Sequence, residues 1–107
     1  MYELRHYLTV AGKDVFEEWL DSVRDFRAQA SILARIDRLE LGNFGDTRPV
    51  GGGVFELRVA IGAGYRVYYT RRGKAILLLL CGGNKSTQNA DIKRALKYLT
   101  EFDRRKP

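Results

Sequence analysis

Histidine and cysteine are almost missing from this sequence of 107 residues: His6 and Cys81 occur once each. A single cysteine excludes an internal disulfide, and a lone thiol ending an apolar run is expected to be buried rather than catalytic. With the only histidine and the only cysteine at opposite ends of the chain, no zinc-ligand spacing exists, so no metal and no cofactor is expected. No Ser–His or Cys–His arrangement offers itself for nucleophilic catalysis either. His6, at an apolar-facing position, is expected to be a satisfied structural histidine. Glycines cluster at residues 51–53 and at Gly62 and Gly64, but no Gly-Lys-Ser/Thr opens a helix there, so they read as turns. Long apolar runs are absent as well. The longest, residues 75–81, is far too short to cross a bilayer. The opening Met1-Tyr2-Glu3-Leu4-Arg5 has no basic-then-apolar signal pattern, so a cytoplasmic protein without a membrane partner is expected. No repeat or linker divides residues 1–107, and a single domain follows.

Charge is present in excess of one sign. Nineteen Lys and Arg stand against thirteen Asp and Glu, a net +6. Its distribution is uneven. Residues 11–50 carry six cations and eight acids, whereas residues 51–85 carry six cations against Glu56 alone. A positive field confined to the second half suits a nucleic-acid ligand, because each neutralised phosphate releases a condensed counterion.

Periodicity supplies the elements. Alternation over residues 2–10 predicts a first strand. Val15, Phe16, Trp19, Leu20 and Val23 recur at helical steps and predict a helix over residues 13–23. Phe26, Ala30, Leu33, Ile36 and Leu39 predict a second over residues 24–41, stopped by Gly42. The two are expected to form an antiparallel hairpin, with Phe16 and Trp19 in the core. Residues 43–53, rich in glycine and containing Pro49, read as a loop. Three strands follow at residues 54–60, 65–71 and 75–81, joined by turns short enough for hairpins. The last is apolar at every position and should be internal to the sheet. Ser86 is the expected cap of a closing helix. The order is therefore β-α-α-β-β-β-α, an α+β fold with the helical hairpin on one face of an antiparallel sheet. The closing helix covers part of the other face, leaving a shallow basic surface.

That surface should carry Glu56, Arg58, Tyr65, Arg66, Tyr68, Tyr69, Arg71 and Lys85. Guanidinium groups hold phosphate oxygens bidentately, and phenol rings stack on bases. Hairpin register decides whether Arg58 and Arg66 share a face. A three-residue loop at residues 61–63 sets them opposite each other, and a four-residue loop at residues 61–64 separates them.

The series Phe55-Glu56-Leu57-Arg58, Gly62-Ala63-Gly64-Tyr65-Arg66-Val67-Tyr68-Tyr69 and Cys81-Gly82-Gly83-Asn84-Lys85-Ser86-Thr87-Gln88 resembles the RelE/ParE superfamily of toxins. It is most similar to the HigB-like branch, addiction-module killer proteins. The resemblance implies the toxin of a type II toxin–antitoxin pair, acting as a metal-independent, ribosome-dependent endoribonuclease on messenger RNA. Its partners would be the ribosome, mRNA and a cognate antitoxin of the helix-turn-helix DNA-binding kind. The superfamily also holds gyrase poisons on one fold, so a non-nuclease poison and an inactive antitoxin-binding module stay open. Carried over by position, Arg66 is the arginine on the scissile phosphate. Lys85 is the basic residue that protonates the leaving oxygen, and Arg58 is an arginine shared across the superfamily. Val54 and Glu56 stand where RelE has lysines, so Glu56 is either a substitute base or a salt-bridge partner of Arg58. Tyr68, Tyr69, Arg71, Lys74 and Gln88 are the expected RNA-binding residues.

Overall fold

The computed structural model describes residues 1–105. The elements run β1 (Glu3–His6), α1 (Val15–Ser22), α2 (Phe26–Glu40), β2 (Thr47–Gly51), β3 (Val54–Val59), β4 (Tyr65–Arg72), β5 (Ile76–Asn84), a 3-10 turn (Lys85–Thr87) and α3 (Gln88–Arg104). One five-stranded sheet has the order β1-β5-β4-β3-β2. The α+β order expected from periodicity is thus present, and β5 lies inside the sheet with β1 and β4 as neighbours. The strands β2 to β5 are antiparallel, whereas β1 joins β5 in parallel.

Three details differ from the sequence expectations. The segment taken as a loop contains β2, an edge strand on β3. It is short and includes Pro49, which an edge tolerates because the missing N–H leaves no ladder bond unmade on the open side. The first strand ends at His6 rather than continuing to residue 10. Leu8 and Val10 are consequently exposed, while Tyr7, expected to face outward, is fully buried under α3. Finally, β5 runs through Gly82 and Gly83, and Ser86 is not the cap of α3: Asn84 caps the intervening 3-10 turn, accepting from the Ser86 amide at 2.9 Å, and Thr87 holds the N-cap position of α3.

Asp14 and Asp25 cap α1 and α2, each accepting backbone N–H groups that the first turn leaves orphaned. Both helices pack on one face of the sheet. Phe16, Leu20, Ile32, Ile36 and Leu39 meet Leu57, Val59, Val67, Tyr69, Leu77 and Leu79 there. Trp19 is only partly buried at the edge of that cluster. On the opposite face α3 sets Ala95 and Leu99 against Val54, Tyr68, Leu78, Leu80 and Cys81. A bulge opposite Tyr68 and Tyr69 puts the extra residue into β5, so that Leu80 and Cys81 both serve the α3 side.

Past the bulge, the two glycines of β5 lie against both layers. A Cβ on Gly82 would stand 2.2 Å from the Trp19 ring, and one on Gly83 would stand 1.8 Å from an Asp91 carboxylate oxygen. Gly82→Ala is therefore expected to destabilise the fold by about 1–3 kcal/mol, the usual cost of overpacking, because an indole ring cannot fold out of the way. Thermal unfolding of the variant checks this. An unchanged midpoint would mean that Trp19 can leave the sheet freely.

Candidate functional site

Arg58 pairs with Arg66 and Val59 with Tyr65, the register set by the three-residue loop. Directly opposite residues of an antiparallel ladder share a face, so Arg58 and Arg66 lie on the same side. The chain leaving β5 then brings Lys85 to that side. Asp46, Arg58, Val59, Ala60, Gly64, Tyr65, Arg66 and Lys85 line a cavity of about 270 Å³. Three of the four residues expected to act on phosphate therefore share one concavity. The fourth does not.

Glu56 sits beneath the site and is completely buried. It accepts hydrogen bonds from Arg48 Nε at 2.9 Å, Gln88 Nε2 at 2.8 Å and the Tyr68 hydroxyl at 3.0 Å. Arg66 Nε forms an ion pair 3.5 Å from Oε2, the same oxygen that accepts from Gln88 and Tyr68. Burial alone would raise the Glu56 carboxyl, but the bonds from Arg48, Gln88 and Tyr68 outweigh it and hold it below the ordinary range. A carboxylate so low and so enclosed is a poor proton acceptor. It positions Arg66. The expected pairing with Arg58 is not formed; Arg58 instead holds Asp46 at 3.1 Å. Arg48 and Asp46 escaped the sequence analysis because their segment was read as a loop. The only sign they gave was a charge on each side of Thr47.

The residues expected to bind RNA scatter. Tyr68 and Tyr69 are both fully buried, on opposite faces of the sheet, so neither ring is open to stack a base. Burial and the Glu56 carboxylate push the Tyr68 phenol upward, keeping it a neutral donor. Tyr69 spends its hydroxyl on Thr47 Oγ1 at 3.2 Å. Arg71 lies on the α2 side, its guanidinium over the rings of Phe44 and Phe55 at 4.6 and 4.4 Å. Lys74 sits in the turn between β4 and β5, at the end of that hairpin away from Lys85. Gln88 serves Glu56. Among the tyrosines of the second half, Tyr65 is the one in the cavity wall, half-buried and edge-on to Trp19.

The lone thiol and the lone histidine stand apart from this region. Cys81 is buried and its thiol is pushed up to about 12 by burial, which leaves no thiolate for catalysis. His6 Nδ1 meets Asp14 at 2.8 Å, and its ring lies edge-on to Phe16. Folding also brings Glu17 near that pair. Asp14 and Glu17 meet there because Asp14 caps α1 and accepts the Glu17 amide.

At this end of the sheet three cations, Arg58, Arg66 and Lys85, and one carboxylate, Asp46, surround the cavity. A family model described as phage derived protein Gp49-like (DUF891) matches residues 18–101, and the chain belongs to that family. An uncharacterized protein of Haemophilus influenzae strain Rd is 52% identical over 80 residues, covering 75% of this chain and 81% of the relative. Among the described residues no helix is long and apolar enough to cross a membrane.

Proposed function

We propose that this protein is the toxin of a type II toxin–antitoxin module, of the HigB-like branch of the RelE/ParE superfamily, and cleaves messenger RNA on the ribosome. The observation that carries this reading is the convergence of Arg58, Arg66 and Lys85 on one cavity. In the reaction, the RNA 2′-hydroxyl attacks the adjacent phosphorus and the bond to the 5′-oxygen breaks. A 2′,3′-cyclic phosphate and a 5′-hydroxyl result. Arg66 supplies two parallel donors to the dianionic phosphorane and stays charged throughout. Lys85, exposed at the cavity mouth, gives a proton to the departing oxygen. Arg58 adds charge once a phosphate displaces Asp46. The 2′-hydroxyl gives its proton to solvent water, since the enclosed Glu56 is no base for it, and the ribosome contributes by bending the messenger into line. A helix-turn-helix antitoxin with an acidic segment would neutralise the cavity.

Translation in a purified system, with primer extension on the message, tests the proposal. Cuts that appear only when ribosomes are present support it. Translation arrest with intact message, or loss of gyrase supercoiling activity, would replace it with a non-nuclease poison. No effect in either assay, alongside antitoxin binding, would mark an inactive binding module.

A further inference from the structure

We infer that α2 extends the proposed cleavage site into a track for the RNA backbone, with Arg35 and Arg38 holding phosphates away from the bond being cut. Ser31, Ala34, Arg35 and Arg38 fall on one face of α2 at steps of three and four residues. With Val59, Ala60 and Ile61 they line a second cavity of about 380 Å³. Val59 and Ala60 also line the cavity of Arg58, Arg66 and Lys85, so the two hollows adjoin along these residues. Small side chains at Ser31 and Ala34 keep its floor open. Together the walls carry five cations and one carboxylate, Asp46.

The arginines on α2 are poised for a ligand. Among the described residues neither Arg35 nor Arg38 forms an ion pair, whereas Arg58 and Arg66 each have a carboxylate. Arg35 donates from Nη1 to the Arg58 carbonyl oxygen at 3.2 Å, which ties α2 to the strand bearing the site. Its guanidinium also lies flat against Gly45, where a Cβ would meet Nη2 at 2.5 Å. A pre-placed guanidinium loses little freedom on binding a phosphate. The occupant is single-stranded RNA, because cations spread over two adjoining hollows match a repeating backbone charge, and a flexible single strand can follow the bend between them. Residues 11–50 sum to a negative charge, so this positive wall is created only by folding.

The inference rests on the ribonuclease reading, and its test separates the two. A dodecamer and a trimer of 2′-O-methyl RNA, which cannot be cut, are titrated by fluorescence anisotropy across a range of salt. The proteins are the wild type, Arg38→Gln, Arg35→Gln with Arg38→Gln, and Arg66→Ala. Arg38 has no partner to lose, so its single variant stands if the double variant unfolds. Each α2 substitution should make the log–log salt slope on the dodecamer shallower by about 0.7 and leave the trimer unchanged. An unchanged dodecamer slope overturns the track, as does weaker binding to a polyglutamate peptide with no change on RNA. Trimer binding untouched by Arg66→Ala, with the dodecamer slope still reduced by the α2 variants, retains the track and overturns the cleavage site.

Discussion

Arg66→Ala is expected to slow cleavage of ribosome-bound message on the order of a hundredfold, about 3 kcal/mol of transition-state stabilisation. The guanidinium is nine-tenths buried, enters the cavity from the start of β4 and is tied to the buried Glu56, which fixes its position as no exposed cation is fixed. In cells the variant should no longer arrest growth, and it should still bind its antitoxin. Its stability should fall only modestly, because Glu56 keeps Arg48, Gln88 and Tyr68 as donors. Quench-flow measurement of message cleavage, with circular dichroism as the fold control, gives the result. A folded double variant, Arg66→Ala with Lys85→Ala, that cuts at the normal rate would end the proposed mechanism.

The larger structural effect belongs to Glu56. Glu56→Ala leaves a cavity and removes the carboxylate paired with the buried Arg66, so a loss of about 3 kcal/mol is expected, the lower end for breaking a buried pair. Arg48 reaches solvent and recovers part of its own hydration. The pH dependence has a definite sign. A carboxyl held below its ordinary value of 4.5 contributes stability above that pH, and the contribution is lost as pH falls through the lower folded value. Wild-type protein should therefore lose stability in that acid window, and Glu56→Gln should flatten that part of the curve. Urea denaturation from neutral pH down to acid separates the two proteins. Equal acid sensitivity in both would show that Glu56 is not the titrating group.

The legible part of this chain is the part whose side chains repeat. Helical spacing located α1, α2 and α3 to within a few residues, and the unbroken apolar run placed β5 inside the sheet before any coordinates. Strand β2 was illegible because Pro49 and glycines imitate a loop, while its pairing is supplied by β3. Among the site residues, strand alternation linked Arg58 to Arg66, but only the register could settle their common face. Tyr68 and Tyr69 look like a pair of stacking platforms in sequence. Adjacent strand residues point to opposite faces, and here both faces are covered, so each ring becomes core. Glu56 illustrates the remaining blind spot. A single acid in a basic stretch invites pairing with its nearest sequence neighbour, whereas its partners come from β2, β4 and α3.

The parallel pairing of β1 with β5 has a consequence for biosynthesis. Glu3 finds its partner at Ile76, with most of the chain between them. The first strand to be synthesised must therefore wait, unpaired, until the fifth has been made, and closing so long a loop is slow. Lys85 and the start of α3 come later still, so the cavity lacks Lys85, and Glu56 lacks the Gln88 amide, until most of the chain has been made. A ribosome making this protein carries a chain with an incomplete sheet and an incomplete cavity until its task is nearly over.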